Sequence, residues 1–231
     1  MLKSVYLFGY NAFSMAAWSV VLYQSVLEWQ ANGPLKTFDA VRPALTIAQT
    51  AAFMEIVHAA LGIVRSPVVL TTLQVGSRLA IVWGVLIAVP QTRQANFTYF
   101  SVGDIEVATN TGTLMFAWAV TEIIRYSFYA IKEVGTVPYP LLWLRYTTFI
   151  VLYPLGVTSE LTTAISALPH MKDDHRFDLT MPNPYNFAFC YYIALWCGLF
   201  MYLPGLPQLY MYMLSQRKKV LNPKQGKTKM N

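Results

Sequence analysis

A chain of 231 residues that is 55% hydrophobic and only 12% charged is too apolar for an ordinary water-soluble domain, in which about a quarter of residues are charged. Its net charge of +6 does not indicate nucleic-acid binding, because six of the seventeen basic residues are gathered near the C-terminus: Arg217, Lys218, Lys219, Lys224, Lys227 and Lys229. A membrane protein is the class that remains.

The apolar residues fall in blocks of about 20, the length at which a helix rising about 1.5 Å per residue crosses about 30 Å of hydrocarbon. Six blocks run over about 5–27, 40–63, 70–90, 112–131, 141–168 and 186–214. They predict an all-α polytopic membrane protein with six transmembrane helices in one bundle. The chain 1–231 reads as a single membrane domain, with 215–231 a basic cytosolic tail. The first block has no small-residue cleavage site behind a short apolar core, so it reads as a retained anchor. The fifth is long enough to tilt, or to break near Pro154 and Gly156. In the sixth, Cys190 and Cys197 are seven apart and read as buried packing groups.

Turn residues mark the connections at Asn32-Gly33-Pro34, Arg65-Ser66-Pro67, Gln91 to Thr111, Val137-Pro138-Tyr139-Pro140 and Pro169 to Pro184. No internal repeat is present. Basic residues beside membrane helices stay in the cytosol, so an even number of crossings puts both termini there. Lys3, Arg65 and Lys132 then share the cytosolic side, while Asp173, Asp174 and Asp178 face the lumen. The ending Lys227-Thr228-Lys229-Met230-Asn231 resembles a dilysine retrieval signal and points to the endoplasmic reticulum membrane.

Charged residues interrupt the blocks: Arg42, Glu55 and His58 in the second, Arg78 in the third, Glu122 and Arg125 in the fourth, Arg145 and Glu160 in the fifth. An ionised side chain at the bilayer centre costs at least about 2.5 to 3.5 kcal/mol, so such groups face a protein interior and find partners. Arg42 and Arg145 lie near helix starts and can reach the headgroups. Glu55, Arg78, Glu122 and Glu160 lie deeper and imply a polar cavity between helices. Glu122 and Arg125 share a helical face, Tyr126 extends that stripe, and Gln74 and Arg78 form another. These residues read as substrate or supporting contacts. His58 reads as a hydrogen-bonded structural histidine. His170 and His175 fall in the predicted lumenal loop, and no metal-ligand spacing is present.

In the fifth block Tyr153 and Glu160 are seven apart, which returns them to one helical face about 10 Å apart along the axis. Pro154 and Gly156 between them predict a bend that exposes backbone to the cavity.

The segment Leu144-Arg145-Tyr146, followed by Tyr153-Pro154-Leu155-Gly156 and Glu160, resembles the signature of the membrane 3-hydroxyacyl-CoA dehydratases of very-long-chain fatty acid elongation, once called protein tyrosine phosphatase-like proteins. The resemblance extends through Glu55-Ile56-Val57-His58, Gly62-Ile63-Val64-Arg65-Ser66-Pro67, Gln74-Val75-Gly76-Ser77-Arg78, Trp118 with Glu122-Ile123-Ile124-Arg125-Tyr126, and Ala167-Leu168-Pro169. It covers residues 40 to 219. It implies that Tyr153 and Glu160 are the catalytic pair, that Glu55, Gln74, Arg78 and Arg145 are the accompanying polar positions, and that Gly156 serves the local backbone. It also implies a long-chain 3-hydroxyacyl-CoA substrate, no cofactor, and association with the condensing enzyme and reductases of the elongation cycle and with membrane lipids. Residues 96 to 110 fall outside the resemblance and read as a lumenal loop insertion away from the chemistry.

Removing water from a 3-hydroxyacyl thioester needs a base for the proton beside the carbonyl and an acid for the departing hydroxyl. The sequence leaves open which of Tyr153 and Glu160 is which. An arginine or backbone donor would hold the enolate-like oxygen. Coenzyme A is too polar for the bilayer, so the site should open to the cytosol, where Arg65, Lys132, Arg145 and the tail attract phosphates. No dinucleotide-binding glycine signature is present, as suits a reaction without redox change.

Two other readings fit the residues less well. His58 to Ser66 echoes a phosphatase loop, but Ala59 stands where that loop needs its cysteine nucleophile. A small transporter or membrane scaffold would also carry midplane charges and a broken helix, but the chain has no pair of similar halves.

Overall fold

The computed structural model describes residues 2–103, 105–175 and 177–221. Helix α1 (Leu2–Asn32) ends at Gly33, whose φ of 85° a side chain would resist. A short turn, Pro34–Lys36, leads into α2 (Thr37–Ala51), which is separated from α3 (Phe53–Ala60) by a single residue, Ala52. Helix α4 (Val68–Leu79) continues as a wider π-helical stretch, Ala80–Ile87. After a second short turn, Pro90–Gln94, come strands β1 (Asn96–Val102) and β2 (Ile105–Asn110), and then α5 (Thr111–Val134), α6 (Tyr139–Thr147), α7 (Phe149–Asp174) and α8 (Tyr191–Leu221).

Each predicted apolar block contains helix, the sixth only from Tyr191 onward. Leu2–Asn32, Val68–Ile87 and Phe149–Asp174 are long and apolar enough to cross a membrane. The second block is divided at Ala52, α5 is diluted by Glu122 and Arg125, and α8 by its tyrosines with Pro204 and Pro207. Large apolar side chains including Phe8, Phe13, Trp83, Ile165 and Phe200 stand exposed around the bundle, a surface suited to lipid.

Four expectations need correction. The chain is not purely α-helical: residues 96–110 form an antiparallel hairpin, paired from Asn96↔Asn110 to Val102↔Ile105 with an irregularity at Tyr99. Its run of aromatic and β-branched residues, Phe97, Thr98, Tyr99 and Phe100, favours strand over loop. The break expected near Pro154 and Gly156 is absent, α7 being continuous helix through Pro154. The interruption lies between α6 and α7 at Thr148, whose carbonyl accepts from both Val151 N at 3.2 Å and Leu152 N at 2.9 Å. Helix α8 continues to Leu221, so the start of the basic segment is helical; Lys224, Lys227 and Lys229 lie outside the described residues. Cys190 is only half-buried just before α8 and Cys197 is exposed, so neither is a buried packing thiol.

Helix α5 is the centre. Its Leu114, Met115, Trp118, Ala119 and Tyr126 join a core with Trp18 and Val21 of α1, Phe38, Val41 and Leu45 of α2, Val82 and Leu86 of the π-helical stretch, and Ala164, Ala167 and Met171 of α7. Asn110 starts α5 with a reciprocal cap, its side chain accepting from Thr113 N at 3.1 Å while its own N–H donates to the Thr113 hydroxyl at 2.9 Å. At Gly112 a Cβ would fall 2.6 Å from the Pro34 carbonyl oxygen, so only glycine lets α5 begin this close to the Pro34–Lys36 turn.

Contacts between elements sort the bundle into two ends. Tyr6 with His58, Tyr10 with Tyr126, Tyr129 with Arg145, and Thr147 with Arg217 mark one, here the basic end. Pro34 beside Gly112, Asp39 paired with Arg93, and Thr109 bonded to Thr162 mark the hairpin end. There Asp178 accepts from the Tyr191 N–H at 2.7 Å, closing the start of α8.

Candidate active site

The Ala52 joint directs Glu55, in the first turn of α3, toward α5. Arg125 grips it with both arms, Nη1 to Oε2 at 2.8 Å and Nη2 to Oε1 at 2.7 Å, and the Tyr126 hydroxyl donates to Oε1 at 2.5 Å. The same guanidinium donates through Nε to Glu122 Oε2 at 2.7 Å, and Glu122 is paired on its other oxygen with Arg78 of α4. Glu122 is only 2% exposed, so its charge is sustained by these two arginines and not by water. Four side chains from three helices thus form one electroneutral chain, Glu55–Arg125–Glu122–Arg78.

Arg78 carries the chain toward a third carboxylate, that of Glu160, because its guanidinium lies 5.5 Å from the centre of the Trp118 ring. The Trp118 indole N–H donates to Glu160 Oε1 at 2.7 Å, and the Tyr202 hydroxyl of α8 donates to Glu160 Oε2 at 2.7 Å. Both oxygens of Glu160 are therefore held, and the side chain has one position. Tyr153, two turns earlier on the same face of α7, stacks on Tyr210 of α8 with ring centres 6.0 Å apart.

Gly156 lies between the two. It is helical and takes no unusual backbone shape, and a Cβ there would make only ordinary contacts, 3.7 Å from Ala117 Cβ and 4.0 Å from Trp118 Cδ1. Helix α7 lies against α5 here, and a bond of 2.8 Å between the hydroxyls of Ser159 and Thr113 fixes the same interface.

The structure gathers Glu55, Arg78, Glu122, Arg125 and Tyr126 into one network and joins it through Trp118 to Glu160. Gln74 is exposed and outside that network. Arg145 lies nearer the basic end, 5.4 Å from the Tyr129 ring centre with Nη2 donating to the Tyr129 hydroxyl at 3.4 Å. His58 shares a hydrogen bond of 2.8 Å with Tyr6 and packs edge-on against Tyr10, as a structural histidine does. Sequence reasoning gave no role to Tyr202 and Tyr210. Their spacing of eight, which returns to one face of α8, was the available signal. Among the described residues no three His, Cys, Asp or Glu side chains gather as metal ligands.

A separate cavity of about 430 Å³ between β1 and α7 is lined by Phe97, Tyr99, Thr158, Leu161, Thr162 and Ile165. At about 100° per residue these α7 positions face away from Tyr153 and Glu160. The pair instead faces α8 and α5, a fixed carboxylate and a phenol able to exchange protons with a substrate lying between them.

The family described as protein tyrosine phosphatase-like protein, PTPLA, matches residues 49–223. Very-long-chain (3R)-3-hydroxyacyl-CoA dehydratase PASTICCINO 2 of Arabidopsis thaliana is 42% identical over 223 residues, spanning 96% of this chain and 95% of its own. PASTICCINO 2A of Oryza sativa subsp. japonica, which bears the same dehydratase name, is 44% identical over 220 residues, 95% of this chain and 94% of its own. Very-long-chain (3R)-3-hydroxyacyl-CoA dehydratase 2 of Homo sapiens is 40% identical over 222 residues, 96% of this chain and 82% of its own. No solved structure matches the chain.

Proposed function

Because the chain belongs to the protein tyrosine phosphatase-like (PTPLA) family, we propose that it removes water from a long-chain (3R)-3-hydroxyacyl-CoA to give the trans-2-enoyl-CoA, with Tyr153 and Glu160 as the catalytic pair. The enzyme is a hydro-lyase of very-long-chain fatty acid elongation. The observation that carries the site assignment is the two-sided clamp on Glu160, from Trp118 at 2.7 Å and Tyr202 at 2.7 Å, on the face of α7 that also bears Tyr153.

Glu160 takes the proton from the carbon beside the thioester carbonyl, its donors on α5 and α8 keeping the carboxylate aimed. Tyr153 gives its phenolic proton to the 3-hydroxyl, which leaves as water as the double bond forms. The proton on Glu160 then returns to the Tyr153 oxygen through solvent, restoring both groups. Arg78, over the Trp118 ring and already neutralised by Glu122, has nitrogens left to donate to the enolate-like oxygen. The Glu55–Arg125–Glu122 chain holds Arg78 in place.

On this reading the six helical blocks cross the membrane as one bundle, and 1–231 is one domain. Arg65, Lys132, Arg145, Arg217, Lys218 and Lys219 put the basic end in the cytosol with both termini. Coenzyme A enters from that end, and the acyl chain lies among the helices. The protein resides in the endoplasmic reticulum membrane beside the condensing enzyme and reductases of the cycle.

The test is dehydration of long-chain (3R)-3-hydroxyacyl-CoA by the purified protein in detergent. Wild type is expected to form the enoyl product, and Tyr153→Phe and Glu160→Gln to lose at least about 100-fold in turnover, the usual scale of general acid–base catalysis. Folded variants that both keep wild-type rates would refute the site.

A further inference from the structure

We infer that Asn96 is a site of N-linked glycosylation at the lumenal end of the bundle; the inference rests on the orientation proposed above. Asn96-Phe97-Thr98 is the only Asn-x-Ser/Thr stretch in the sequence. It opens β1, at the hairpin end, and the basic residues that stay cytosolic lie at the other end. Both Asn96 and Thr98 are exposed.

The local geometry leaves the amide free to react. Asn96 Oδ1 accepts from Asn110 Nδ2 at 3.2 Å, which fixes the side chain by its oxygen. Among the described residues the nitrogen meets Thr98 Oγ1 and Glu106 Oε1, each at 3.5 Å, the outer limit of a hydrogen bond. A sugar can therefore replace one amide hydrogen without breaking a short contact, and the Thr98 hydroxyl stands beside the nitrogen as the acceptor sequence demands. Reach is sufficient as well. Nine positions separate Ile87, the end of the π-helical stretch, from Asn96. Extended during synthesis they span about 30 Å, against an interfacial layer of about 5 to 8 Å.

The donor is a lipid-linked diphospho-oligosaccharide. The Asn96 nitrogen bonds to the anomeric carbon of the first sugar, the bond from that carbon to the lipid diphosphate breaks, the diphosphate leaves with the electron pair, and the amide gives up one proton.

The full chain is synthesised in the presence of microsomes and treated with an N-glycan-removing endoglycosidase. Wild type is expected to shift by one glycan, Thr98→Ser to retain the shift, and Asn96→Gln and Thr98→Ala to lose it. Asn96→Gln is expected to keep dehydratase activity within about twofold, since it touches none of the catalytic groups. An unshifted wild type overturns the inference, and a second variant says why. Ala188→Thr creates an acceptor at the exposed Asn186, in the connection before α8 at the same end. If Asn186 is modified and Asn96 is not, the orientation stands and the Asn96 site fails. If neither is modified, the orientation falls and takes the inference with it.

Discussion

The indole nitrogen of Trp118 on α5 lies 2.7 Å from one carboxylate oxygen of Glu160 on α7, and the Tyr202 hydroxyl of α8 lies 2.7 Å from the other. Three helices thereby meet on one carboxylate. A hydrogen bond to a charged group contributes about 1.5 to 3 kcal/mol, and about 1.4 kcal/mol is tenfold in rate. Trp118→Phe and Tyr202→Phe are each expected to lower turnover about 10- to 100-fold while the protein extracts as the same species. The double variant should fall no further than Glu160→Gln. Steady-state kinetics in detergent check this, and a Tyr202→Phe enzyme with wild-type turnover would remove α8 from the chemistry.

Arg125 is the hinge of the buried charge network, bonded to both Glu55 and Glu122. Removing one partner of a buried ion pair costs about 3 to 5 kcal/mol, because the charge left behind has neither water nor a counter-ion. Arg125→Met is therefore expected to be strongly destabilised in thermal unfolding. Adding Glu55→Gln should recover part of the loss, giving a coupling above about 1 kcal/mol in the double-mutant cycle. Strictly additive losses would show that the two residues stand independently.

The helical blocks were readable from the sequence because their apolar runs are long. What faces what was not. Glu55 and Arg125 are 70 residues apart and Trp118 and Glu160 are 42 apart, and helical periodicity gives a residue's face without naming the neighbouring helix. Tyr202 is one of fifteen tyrosines, and its importance comes from the carboxylate opposite it. The hairpin was missed although aromatic and β-branched residues on either side of Gly103 are a strand signal. The helix continues through Pro154 and is interrupted at Thr148, where two amides share one carbonyl, a place that no proline or glycine marks in the sequence.

The two packing glycines separate by space. At Gly156 a methyl group meets only ordinary contacts, so Gly156→Ala is expected to retain most activity, whereas Gly156→Leu should wedge α7 from α5 and lose more than about tenfold in turnover. At Gly112 the same methyl meets the Pro34 backbone at 2.6 Å, so Gly112→Ala is expected to destabilise by about 1 to 3 kcal/mol. Thermal unfolding and turnover on the three variants test the ranking. A Gly112→Ala protein as stable as Gly156→Ala would contradict it.

The Tyr191 N–H bonded to Asp178, with His175 beside it, holds the Asp178 carboxyl below the usual carboxylate range. A carboxyl depressed in the folded state stabilises above its ordinary pKa, and that stabilisation is lost as pH falls through the lower folded value. Hydrogen exchange at the Tyr191 amide is expected to quicken, relative to intrinsic rates, over that acid range. Asp178→Asn should remove the pH dependence.

The buried charge chain also bears on how the protein is made. Glu55 on α3 and Arg78 on α4 emerge from the ribosome in succession with opposite signs, while α5 brings Glu122 and Arg125 together and is balanced from the start. Alone in lipid, α4 would carry an unmatched guanidinium at about 2.5 to 3.5 kcal/mol. Its counter-charge on Glu122 is not synthesised until 44 residues later. The early helices therefore have reason to linger at the insertion machinery until α5 arrives, and a chain truncated before residue 111 should be retained there and degraded.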